Sequence, residues 1–149
     1  MPQGIVSSNL TASASICMSD EPKTKILLLD DEKFLLFMYK MKFEKAGYEV
    51  AAYDDADSAL SALREGYDPD VILFDITMPN SRSGYEFIET VRKERLARHS
   101  LKIALTNEGQ DAEKSRLAEL GTNAHLLKSN YIPSEIVTTV TSMVQERRR

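Results

Sequence analysis

The sequence predicts an α/β fold built on a doubly wound, five-stranded parallel sheet with five helices. Three observations carry this. Five short apolar runs alternate with five helix-length segments, and the connections between them are short. Two of the runs, at Lys25–Leu29 (KILLL) and Val71–Phe74 (VILF), are almost wholly apolar, as strands covered on both faces are.

Lys25–Leu29 is the first strand, and it ends in Asp30-Asp31. Glu32–Ala46 has the length of a helix and stops at Gly47, where a glycine after a helix C-terminus is expected. Tyr48–Tyr53 alternates in polarity and reads as the second strand. Asp55 is placed to cap a helix over Ala56–Glu65, which Gly66 ends. Pro69 precedes the third strand, Val71–Asp75, which Met78-Pro79 closes. A helix runs from Gly84 to about Arg98, and Lys102–Thr106 is the fourth strand. Asp111–Leu120 is a helix ended by Gly121, and Ala124–Leu127 is the fifth strand. Pro133 opens the last helix, where proline suits a first turn.

Composition limits what such a chain does. Its 149 residues suit one domain, and a lone cysteine, Cys17, excludes an internal disulfide and a paired-cysteine zinc or redox site. No apolar run approaches the roughly 18 residues a membrane span needs. The net charge of −4 argues against a general nucleic-acid binder, so no direct nucleic-acid contact and no membrane insertion are expected. Residues 1–22 read as a disordered leader: they are rich in Ser, Ala and Thr, and no Lys or Arg occurs before Lys23 to make a secretory signal. Met18 is a plausible alternative start. Residues 23–145 are the expected ordered domain, and 146–149 a basic tail at the end of the last helix. A cytoplasmic location follows as an expectation.

In an open parallel sheet, ligands bind beyond the carboxyl ends of the strands, at the point where strand order reverses. With the order 2-1-3-4-5, strands one and three are neighbours there, and their ends carry Asp30, Asp31 and Asp75. Three carboxylates in one pocket repel unless a cation sits among them. All-oxygen ligands without His or Cys select a hard ion such as Mg²⁺. A carboxylate beside such an ion can act as a nucleophile toward phosphorus and form an aspartyl phosphate. Phosphoryl transfer then needs charge neutralisation and a hydroxyl donor, for which Lys128 and Thr106 stand at the ends of strands five and four. Taken singly, each residue has a plainer explanation. Asp31 could cap the first helix, Thr106 end a strand, and Lys128 be a solvated loop lysine. Asp75, directly after four apolar strand residues, needs a partner or water.

KILLLDDE, VILFDITMP, IALTNEG and AHLLKS, in this order and spacing, resemble the receiver domain of two-component response regulators over about residues 23–145, a flavodoxin-like fold. The resemblance implies that Asp75 is the phosphoacceptor, charged by a phosphohistidine of a sensor histidine kinase or a histidine phosphotransfer protein. It implies that Asp30, Asp31, Asp75 and the Thr77 carbonyl make the Mg²⁺ site, and that Thr106 and Lys128 bind the phosphoryl oxygens. It further implies a phosphoprotein that signals to a downstream protein target through a conformational change. Such a protein is not an enzyme on external substrates, though able to catalyse its own phosphorylation and dephosphorylation. With no output domain following in the sequence, a stand-alone, single-domain type is expected. His125 takes the place of the aromatic switch residue, and Asn107 stands beside the threonine where Ala or Gly is common. The movement is expected to reach the surface around 108–120, His125 and Ile132–Val140. Ser129 follows the lysine where the family has a cis proline, which leaves the geometry of the Lys128–Ser129 bond open. Phe34 to Phe43 contains eight apolar or aromatic residues in ten, more than one core-facing stripe requires, and in receivers this helix docks on the kinase. Phe37 or Met41 is expected to face solvent.

Two other functions fit parts of the pattern. An unphosphorylated receiver-like interaction module would need none of the five site residues. A Mg²⁺-dependent aspartyl phosphatase would want a general acid two residues after the nucleophile, where Thr77 stands.

Overall fold

The structure is a computed structural model that describes residues 22–78, 83–107 and 110–148. The expected leader, apart from Pro22, lies outside the described residues, as do Cys17, Met18, Pro79 and Arg149. The elements alternate along the chain: β1 (Lys25–Leu29), α1 (Lys33–Lys45), β2 (Glu49–Tyr53), α2 (Ala56–Arg64), β3 (Val71–Asp75), α3 (Gly84–Lys93), β4 (Leu101–Thr106), α4 (Asp111–Glu119), β5 (Ala124–Leu127) and α5 (Pro133–Arg147). The five strands pair in parallel in the order β2-β1-β3-β4-β5.

Side chains on a strand point alternately to the two faces, and the core divides accordingly. Ile26, Leu28, Val71, Leu73, Ile103 and Leu105 pack with Tyr39 and Phe43 of α1 and with Ile136 and Val140 of α5. Leu27, Leu29, Ile72, Phe74 and Ala104 pack on the other face with α2, α3 and Leu117 of α4. Both faces of the sheet are therefore covered, which is why β1 and β3 carry no polar alternation. Asp55 caps α2, its carboxylate accepting the Ser58 N–H at 2.7 Å.

The main departure from the sequence reading is α3, which ends at Lys93 rather than near Arg98. The Leu96 N–H bonds back to the Val91 carbonyl and the Arg95 N–H to that of Arg92, a closure that needs a left-handed residue at Arg95 (φ 56°). The same closure ends α1 at Gly47 (φ 97°), where glycine marks the turn in the sequence. At Arg95 no glycine marks it, and what holds the turn is Leu96 folding onto the apolar layer beside Val91. Tyr48 also lies outside β2; it closes α1 by packing its ring edge-on against Phe43 at 5.0 Å. The remaining predicted helix and strand ends coincide or differ by one residue, as frayed ends do.

Candidate functional site

The strand register assembles the site. Leu29 is opposite Phe74, and Asp75 is opposite Leu105, so Asp30 and Asp75 emerge side by side where β1 and β3 end. Thr106 is opposite Leu127, which puts Lys128 one residue beyond on the same edge. Asp30, Asp75 and Thr106 are all buried.

The Lys128 ammonium bridges the two carboxylates, 2.9 Å from Asp30 Oδ2 and 3.1 Å from Asp75 Oδ2. Burial works against its charge, but the hydrogen bond and charge of Asp30 and then of Asp75 outweigh it and hold the lysine pKa above its ordinary value. Lys128 is thus no solvated loop residue. For Asp75 the balance runs the other way. Burial first, with the Asp30 charge added, outweighs Lys128 and the Thr77 N–H and raises its pKa to about 6. The Thr77 N–H donates to Asp75 Oδ1 at 3.1 Å, and the Glu32 N–H to Asp30 Oδ1 at 2.9 Å.

Asp31 does not cap α1; Glu32 holds the cap position, without a side-chain bond. Instead Asp31 offers an oxygen to a group with Asp30 and Asp75 in which the ligand atoms lie within 4.8 Å of one another. Its Oδ2 is buried and has no hydrogen-bond partner among the described residues. A buried carboxylate oxygen without a donor is costly, and a hard cation held among the three carboxylates removes that cost. The donor set fits Mg²⁺.

Gly84 brings the start of α3 onto the site's backbone. Its N–H donates to the Ile76 carbonyl at 2.9 Å, and a Cβ there would collide with the Asp75 carbonyl oxygen. Ser83 caps this helix, exchanging hydrogen bonds with Glu86. After β5, Lys128–Asn130 form one 3-10 turn, and no peptide bond among the described residues is cis, so the Lys128–Ser129 bond is trans. His125 lies half-buried in β5, opposite Ala104.

Sequence reasoning missed two neighbours of this site. Tyr39 of α1 is buried close enough to Lys128, Asp30 and Asp75 to feel their charges, and burial above all pushes its hydroxyl pKa up to about 12. Its place in a run of apolar residues gave no sign of this. Glu113 of α4 accepts the hydrogen bond of the Thr106 hydroxyl. On α1, Phe34, Phe37 and Met41 are exposed at 70%, 58% and 47%, forming one apolar stripe on the helix's outer face.

Comparison with known proteins gives a consistent result. A family model described as the response regulator receiver domain matches residues 26–141. The phosphate regulon transcriptional regulatory protein PhoB of Klebsiella pneumoniae is 29% identical over 81% of this chain, and the match spans 52% of PhoB. The polar-differentiation response regulator DivK of Brucella ovis is 27% identical over 76% of this chain and 90% of its own. The solved structure of the chemotaxis response regulator CheY4 of Vibrio cholerae superposes with a TM-score of 0.72 at 28% identity, covering 83% of this chain and 99% of CheY4. The chain spans about half the length of the transcriptional relatives it matches.

Proposed function

We propose that this chain, which belongs to the response regulator receiver domain family, accepts a phosphoryl group on Asp75 from a phosphohistidine of a sensor histidine kinase or phosphotransfer protein. The carrying observation is the Lys128 ammonium set between Asp30 and Asp75, at 2.9 and 3.1 Å, on the buried edge of the sheet. An Asp75 carboxylate oxygen attacks phosphorus, the phosphorus–nitrogen bond of the donor breaks, and its electron pair stays on the imidazole.

The chain's own groups prepare this step. The Thr77 N–H fixes the Asp75 carboxylate, and Lys128 offsets negative charge as the phosphoryl group arrives. The Thr106 hydroxyl, one strand away, supplies a donor for a phosphoryl oxygen. Asp30, Asp31 and Asp75, with the Thr77 carbonyl, would hold Mg²⁺. When bound, the ion supplies the positive charge that lets three carboxylates share a pocket with an incoming dianion.

Residues 23–145 form the receiver unit on this reading, with 1–22 a leader and 146–149 a basic tail. The exposed stripe of Phe34, Phe37 and Met41 suits docking to the donor's helices. None of the helices described is long and apolar enough to cross a membrane. PhoB, DivK and CheY4 carry names from transcription, differentiation and chemotaxis, so the matched domain serves different outputs. Intact-mass measurement after treatment with a small acyl phosphate, on wild type and Asp75→Asn, tests the assignment.

A further inference from the structure

We propose that Glu113 is a positioning residue that holds the Thr106 hydroxyl toward α4 in the unphosphorylated protein and must release it when Asp75 is phosphorylated. This rests on Asp75 being the phosphoacceptor, and it adds what keeps the threonine away until then.

Strand parity sets the direction. Ala104 faces the layer of α2, α3 and α4, and Leu105 faces that of α1 and α5, so Thr106 continues the Ala104 row toward α4. Asp75 instead continues the row of Val71 and Leu73, on the opposite face. The Thr106 hydroxyl donates to the Glu113 carboxylate. Glu113 is the third residue of α4. An acid there ordinarily serves the amino end of its own helix, whereas this one accepts a bond from the sheet.

The same carboxylate reaches a third element. It lies beside the hydroxyl of Tyr85 on α3, whose pKa is raised by burial first and by the Glu113 charge next. Arg116, one turn along α4 from Glu113, covers the Tyr85 ring at 4.0 Å. Glu113 therefore joins the end of β4 to both α4 and α3.

A hydroxyl carries one proton and donates one full hydrogen bond. Thr106 cannot donate fully to Glu113 and to a phosphoryl oxygen together. A phosphoryl group on Asp75 offers charged acceptor oxygens and also brings negative charge toward the Glu113 carboxylate. Both effects break the same bond. The step that turns Thr106 to the phosphoryl group is thus the step that frees Glu113, and with it the packing of Tyr85 and Arg116. Phosphorylation is read out at α4 because α4 holds the competing acceptor.

The test measures beryllofluoride binding, in the presence of Mg²⁺, by NMR titration of the full chain. Wild type should bind and Asp75→Asn should not; absence of wild-type binding would overturn the phosphoacceptor reading itself. Given that binding, Glu113→Ala should tighten it by about tenfold, the scale of a hydrogen bond to a charged group. Glu113→Gln, which keeps shape and an acceptor oxygen, should tighten it less and serves if the alanine variant folds poorly. In metal-free, unliganded Glu113→Ala, the Tyr85 and α4 resonances should shift toward their positions in the liganded wild type. In a Thr106→Val background the Glu113 substitution should have a much smaller effect on affinity, with only the charge repulsion left to relieve. Unchanged or weaker binding by both Glu113 variants, or equal tightening with and without the Thr106 hydroxyl, overturns the proposal.

Discussion

Lys128 and Asp30 are 98 positions apart in the chain, yet the ammonium of one lies 2.9 Å from the carboxylate of the other. Each is the first residue beyond a strand, and the parallel register delivers both to one edge. The lysine is also 3.1 Å from Asp75, so one cation serves two buried anions. Removing one partner of a buried pair is far worse than never having built it, because an uncompensated charge stays behind.

Lys128→Met should accordingly destabilise the metal-free protein by about 3 kcal/mol near pH 7.5. The loss should shrink near pH 5, where Asp75 takes up a proton and only one buried charge remains. Urea unfolding at the two pH values measures this. A loss that is the same at both would mean that Lys128 contributes through packing alone.

Asp75 itself should make metal-free stability depend on pH. Its pKa is raised from 3.8 to about 6, by burial before any other cause. The folded state then holds the proton more tightly than the unfolded chain, so its contribution is fully present below pH 3.8 and is lost as pH rises through about 6. Relative to Asp75→Asn, wild type should lose on the order of 2 kcal/mol between pH 4 and pH 7. Mg²⁺ should restore much of that at pH 7. Denaturant unfolding of both proteins across this range checks it, and parallel curves would remove the Asp75 charge from the account.

The strand-end residues were legible because β1 and β3 are buried on both faces, and a carboxylate that ends such a run stands out against its neighbours. The structure brings Asp30, Asp31, Asp75, Thr106 and Lys128 to one edge, as the parallel order requires. The end of α3 was not legible, since Arg95 adopts a left-handed conformation with no glycine to announce it. Glu113 was hidden differently. An acid in the first turn of a helix reads as a dipole partner, and only the parity of β4 and the placement of α4 show that it meets Thr106. The apolar surplus in α1 did show in the composition of the helix, and Phe37 and Met41 face solvent.

That stripe gives a prediction about the donor. Phe37 is 58% exposed, so Phe37→Ala should change stability by no more than about 0.5 kcal/mol. It should slow phosphoryl transfer from the cognate kinase by about tenfold, the effect of losing an aromatic anchor at an interface. Labelling by a small acyl phosphate should keep its wild-type rate, since that donor needs no docking face. Equal slowing with both donors would place the effect in the site rather than on α1.

The most direct measurement of the central claim is the mass of the intact protein after exposure to a small acyl phosphate, with and without Mg²⁺. Wild type should gain a single phosphoryl group when Mg²⁺ is present and essentially none when the metal is chelated. Asp75→Asn should gain none under either condition. A phosphoryl group that appears on Asp75→Asn, or a wild-type protein that stays unlabelled with Mg²⁺ and intact Asp30 and Asp31, would contradict the assignment of Asp75 as the acceptor.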